Sequence, residues 1–141
     1  MVVKTAILKE LEEAYKASGN QLFVLYGRAD SEKELLIRAL VQNKKYFYYR
    51  ARLVSEREQR EQMEREFVGQ FGVAPQKHTY EEYFNHIKSG DATKLVVVID
   101  EFQYIAKKDA SFMEAVIKLK ARRLYPGPVL ILLCTYHFKK I

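Results

Sequence analysis

Leu95-Val96-Val97-Val98-Ile99-Asp100-Glu101 is an apolar run that ends on two adjacent carboxylates. Unbroken aliphatic residues, with no polar alternation, read as a strand buried on both faces, the condition of a central strand in a parallel sheet. Two carboxylates at the tip of such a strand are costly unless they meet a cation, hydrogen-bond donors or solvent. A solvent-facing Asp-Glu that caps the next segment is the plain alternative. The preceding Val96-Val97-Val98-Ile99 run argues against it, because it puts the pair at a central strand end.

Working outward, apolar strands alternate with amphipathic helices. Lys4 to Ala17 has helical spacing through Ala6, Ile7, Leu11, Ala14 and Tyr15, and Ser18-Gly19-Asn20 stops it. Gln21 to Tyr26 reads as a buried strand, Ser31 to Gln42 as a helix through Leu35, Leu36, Ala39 and Leu40, and Lys45 to Arg50 as a second strand. Ser55 to Phe71 is a charged helix with the stripe Met63, Phe67, Val68 and Phe71. Gly72-Val73-Ala74-Pro75 breaks the chain. Thr79 followed by Glu82 has capping-box spacing and opens a helix to about Lys88. After the third strand, Lys94 to Ile99, a helix is expected from about Asp109 to Arg123, then Pro126-Gly127-Pro128 and a fourth strand, Val129 to Cys134. The expected fold is one three-layer α/β domain over residues 1–141, a parallel sheet of about four strands with helices on both faces. Ligands of such sheets bind beyond the carboxyl ends of the strands. Gly27, Asp100, Glu101 and Thr135 all fall at that edge.

Composition sets outer bounds. The 141 residues suffice for one sizeable core. The chain holds no apolar stretch near the roughly 20 residues of a membrane span, and Lys4, Lys9 and Glu10 interrupt any signal-peptide core. A single cysteine, Cys134, excludes an internal disulfide and reads as a buried thiol of a cytoplasmic protein. His78, His86 and His137 form no metal-ligand pattern. A net charge of +6 permits an acidic partner such as nucleic acid without demanding one. Tyr46-Phe47-Tyr48-Tyr49 can stack bases, but aromatics in a strand under helices read as core. Lys118, Lys120, Arg122 and Arg123 read as a solvated helix face.

The loop after the first strand carries the second motif. A phosphate-binding Walker A loop is G-x-x-x-x-G-K-[ST] between a strand and a helix. Here Gly27 takes the first position and Lys33 the lysine position, but Glu32 replaces the second glycine and Glu34 the Ser/Thr. Glycine lets backbone N–H groups curl round phosphates, and the hydroxyl ligates Mg²⁺. From Gly27 to Glu34, Arg28 and Lys33 stand against Asp30, Glu32 and Glu34, a balance that disfavours a triphosphate. In the bland reading Glu32 and Glu34 are good first-turn helix residues that use the helix dipole themselves.

The chain resembles the archaeal-type P-loop ATPase family, AAA+/STAND-like proteins that also occur in bacteria. The resemblance rests on Leu11-Glu12-Glu13-Ala14-Tyr15, Phe23-Val24-Leu25-Tyr26-Gly27-Arg28, Lys33-Glu34-Leu35-Leu36, Leu95 to Phe102 with Tyr104 and Ile105, and Leu130 to Cys134. Val97-Val98-Ile99-Asp100-Glu101-Phe102 looks like its Walker B element. The resemblance implies ATP and Mg²⁺ as ligands. Gly27, Arg28, Lys33, Glu34 and Thr135 would lie at the nucleotide, with Lys33 on the β/γ-phosphates. Asp100 would bind the metal and Glu101 would act as catalytic base. The γ-phosphate-sensing position falls near Thr135-Tyr136-His137, where Tyr136 and His137 replace the small residues of the family. The family also continues past this strand with a fifth strand and a helical lid, so a truncated domain is expected whose exposed sheet edge invites a homo-oligomer. The expected function is a nucleotide-binding ATPase-like domain with hydrolysis weak or absent. A pseudo-ATPase interaction module is the alternative, followed by a basic nucleic-acid-associated module.

Overall fold

The computed structural model describes residues 5–26, 30–123 and 127–135. Among these residues four strands form one sheet: β1 (Gln21–Tyr26), β2 (Tyr46–Arg50), β3 (Leu95–Asp100) and β4 (Val129–Thr135). Their order is β1-β4-β3-β2 and every pairing is parallel. β3 and β4 are buried at every position, as their unbroken apolar sequences require of the two central strands.

Among the described residues six helices cover the sheet: α1 (Thr5–Lys16), α2 (Asp30–Val41), α3 (Glu56–Phe71), α4 (Tyr80–Asn85), α5 (Gln103–Ala106) and α6 (Ala110–Ala121). Strand parity sorts the side chains between the two faces. Val97, Ile99, Ile131, Leu133, Phe47 and Tyr49 face α3, α4 and α6, where Met63, Phe67, Tyr83 and Phe112 complete a core cluster. Val96, Val98, Leu130, Leu132 and Cys134 face α1 and α2, packing on Leu11, Leu36, Ile37 and Leu40. The three-layer α/β architecture is the one expected from the alternation of strands and helices.

Local chemistry sets the element ends. Ser55 caps α3 by accepting from the Glu58 amide at 3.1 Å, and Gly72, in the left-handed region at φ 69°, closes it. Thr79 accepts from the Glu82 amide at 3.1 Å, half of a capping box, while the Glu82 carboxylate accepts from the Gln76 amide at 3.2 Å. α4 is shorter than its apolar spacing suggests: regular helix ends at Asn85, although Ile87 beyond it is fully buried. α5 is a single turn, too short for a periodic pattern to disclose. Arg122 departs from the solvated face expected of it. Its guanidinium turns in to donate to the carbonyls of Phe84, Ile87 and Gly127, and burial lowers its pKa.

Candidate functional site

Parity also builds the site. Asp100 ends β3 on the side of Val96 and Val98, so its carboxylate faces α2. α2 lies on that face through Leu36, Ile37 and Leu40, and its first turn carries Lys33. The Lys33 ammonium meets Asp100 Oδ1 at 2.8 Å and Glu101 Oε2 at 2.6 Å. All three residues are essentially closed to solvent.

Adjacent residues of a straight strand point to opposite faces, yet both carboxylates hold one cation. The backbone explains this. Glu101 lies in the left-handed region at φ 55°, turning the chain as the strand ends. Such a conformation costs a non-glycine residue about 1–2 kcal/mol. Asp100 Oδ1 accepts from the Glu101 amide at 2.9 Å, which fixes the turn. The Gln103 side-chain amide then donates to Glu101 Oε1 at 2.7 Å. Both oxygens of Glu101 are thereby engaged, one by Lys33 and one by Gln103.

Burial by itself lowers the Lys33 pKa, but hydrogen bonds and charge from Asp100 and Glu101 outweigh it and hold the ammonium above the ordinary lysine range. Tyr48 donates to Asp100 Oδ2 at 2.7 Å. Burial, then the bond to Asp100, push its phenol pKa up, so the hydroxyl keeps its proton. Cys134, in register with Asp100, is a buried free thiol pushed up chiefly by burial.

The structure thus brings together Lys33, Asp100 and Glu101. Thr135 ends β4 at the same edge of the sheet, one residue past the Asp100 partner, and is buried. Glu34 does not join them. It is half exposed and faces the Arg50 guanidinium at 3.9 Å. Gly27, Arg28, Tyr136 and His137 lie outside the described residues. Sequence reasoning missed Tyr48 and Gln103. Aromatic neighbours in the sequence place Tyr48 in the core, and only the register of β2 on β3 sets it on the face of Val98 and Asp100.

Mg²⁺ is usually held by one or two carboxylates together with substrate phosphates. Asp100 and Glu101 beside Lys33 fit that chemistry. Among the described residues no group of three or more His, Cys, Asp or Glu side chains is placed to hold a metal alone. Among them, too, no helix is long and apolar enough to cross a membrane.

No protein-family model matches the sequence, and no curated protein matches it. Solved structures do. Drosophila ORC bound to DNA superposes with a TM-score of 0.63 at 13% identity, over 93% of this chain and 37% of that one. The Aeropyrum pernix ORC1 protein in complex with DNA gives a TM-score of 0.59 at 18% identity, over 98% of this chain and 40% of that one. The chain spans about two fifths of those longer chains. At these identities the likeness is one of fold: the chain has a three-layer, P-loop NTPase-like α/β fold, with Lys33, Asp100 and Glu101 gathered at the carboxyl edge of its sheet.

Proposed function

We propose that the chain is a nucleotide-binding module of the P-loop ATPase type whose hydrolysis is weak or absent. One observation carries this reading: a lysine from the first turn of α2 and two carboxylates from the end of β3 converge in a buried cluster. Nothing in core packing demands such a cluster, because an apolar trio of similar volume is usually as stable. Bound Mg·ATP would supply the phosphoryl group and the metal charge. Lys33 would neutralise the β/γ-phosphates, Asp100 would hold the metal shell, and Glu101 would accept the proton of an attacking water. Each must first leave its present partner. Glu101, engaged on both oxygens, is poorly free to act as a base, in keeping with weak hydrolysis. Gly27 and Arg28 would complete the loop, and Thr135 would face the γ-phosphate side.

The same contacts favour a second reading, a pseudo-ATPase that keeps the fold for interaction, since Lys33, Asp100 and Glu101 satisfy one another. The +6 charge, together with two neighbours solved on DNA, supports a third, nucleic-acid association. The place of β1 at an edge of the sheet, paired with β4 alone among the described residues, supports self-association. A cytoplasmic setting rests on the lone buried thiol alone.

Calorimetric titration with Mg·ATP separates the first two. Binding in the micromolar to millimolar range, lost in Lys33→Ala, is expected. Tight binding that survives Lys33→Ala would overturn the assignment of Lys33. No binding by the wild type would favour the pseudo-ATPase, and Glu32→Gly with Glu34→Thr should then restore binding if the scaffold is otherwise competent. Binding to a DNA duplex that weakens steeply with salt would favour the third reading.

A further inference from the structure

Asp100 is held from two sides. Lys33 and the Glu101 amide occupy Oδ1, at 2.8 and 2.9 Å, and the Tyr48 hydroxyl occupies Oδ2 at 2.7 Å. The Tyr48 contact follows from register. Tyr48 pairs with Val98, so both point to the α2 face, and Asp100 follows two residues later on that face. A tyrosine leaning along the strand spans that step, and its ring packs against the apolar cluster beneath α2.

P-loop sites place a Ser or Thr hydroxyl beside the strand-end aspartate, where both serve the metal. In this chain Glu34 takes that position and faces Arg50. The hydroxyl beside Asp100 comes from β2 instead. We propose that Tyr48 is the positioning residue for Asp100, its phenol hydroxyl replacing the one that position 34 does not provide. The proposal rests on the nucleotide reading above. Tyr48 acts through Asp100: its ring keeps the hydroxyl at a fixed height over β3, and the hydrogen bond holds the carboxylate in one rotamer for the metal shell. A neutral phenol is a poor ligand for Mg²⁺, whereas a donor to a carboxylate orients it well.

Tyr48→Phe keeps the ring and removes the hydroxyl. The readout is ATP affinity by calorimetry with Mg²⁺ and again with EDTA, the ratio of the two measuring what the metal contributes. The ratio should fall about tenfold, the effect of one hydrogen bond to a charged group, while metal-free affinity changes less than about twofold. A role in packing alone would lower the melting temperature and leave the ratio unchanged. Equal losses in both conditions, or none, would overturn the proposal while leaving the nucleotide reading intact. A wild type that binds no ATP overturns both. Should Tyr48→Phe not fold, Glu34→Thr decides: removing a carboxylate raises affinity in both conditions, so the ratio should stay within about threefold. A tenfold rise in the ratio would show that the hydroxyl had been missing and that Tyr48 does not supply it.

Discussion

At the scale of single residues, Lys33 is the side chain on which most depends. Its ammonium lies against two buried carboxylates, at 2.8 and 2.6 Å. Removing one partner of a buried ion cluster leaves uncompensated charge and typically costs about 3–5 kcal/mol. Lys33→Met should therefore lower unfolding stability in urea by about 3 kcal/mol and the melting temperature by on the order of 10 °C. A loss below about 1 kcal/mol would mean that the cluster is hydrated. The pH dependence has a definite sign. The Lys33 pKa is raised in the folded protein, so its contribution is complete below the ordinary lysine value and disappears as pH rises through the folded value. The stability gap between wild type and Lys33→Met should stay level from neutral pH to about pH 10 and narrow only above it. The chemistry of these residues was legible in the sequence as lysine, aspartate and glutamate at telling positions. Two things were not. The left-handed turn at Glu101 is no glycine's, so no residue type announces it. Tyr48 lies 52 residues from Asp100 and meets it only through the register of β2 on β3, in which a one-residue slip would send it to the other face.

At the scale of elements, side chains from neighbouring segments cover the open carbonyl ends of helices. Lys94 donates to the Ala14 and Ala17 carbonyls at the end of α1, and Lys44 to the Leu40 carbonyl in α2. Arg122 does the same where α4 ends. Four terminal carbonyls of each helix lack an internal partner, and a cation there also meets the negative end of the helix dipole. Asn20 performs the task at α6 without a charge. Its amide donates to the Arg122 carbonyl at 2.7 Å and the Lys120 carbonyl at 3.1 Å, and its oxygen accepts from the Val129 amide at 2.9 Å. One side chain thus links the start of β1, the end of α6 and the start of β4. Asn20→Ala would orphan these groups near the core, at a cost of about 2 kcal/mol in urea unfolding. Lys120→Ala, on the same helix but exposed, should change stability by less than about 0.5 kcal/mol. Equal effects would mean that the bridge contributes nothing. From the sequence, Asn20 reads as part of a helix stop, which is correct for α1 and silent about α6. Turn chemistry is local, whereas these bonds close over about a hundred residues.

At the scale of the molecule, strand and helix identities were readable because β3 and β4 are apolar at nearly every position and the helices keep their period. Strand order was not, since periodicity carries no information about which strand lies beside which. The observed order leaves β1 and β2 at the two edges, and the edges differ. β2 is partly covered, because the Gln70 side chain donates to the Tyr46 carbonyl at 2.6 Å. Among the described residues β1 pairs with β4 alone, and Val24 and Tyr26 are 37% and 56% exposed. An edge strand with exposed apolar side chains is a template for a second chain. The 141-residue protein should therefore self-associate through β1, and sedimentation velocity should show its mean mass rising with concentration. Val24→Lys places a charge on that edge without touching the Lys33 cluster, and should shift the equilibrium toward monomer by about tenfold or more. Raised salt should leave wild-type association unchanged or slightly stronger, as expected for backbone pairing and apolar contact. A monomer at every concentration would show that this edge is protected. Association unaffected by Val24→Lys and abolished by salt would place the contact on a charged face of the protein.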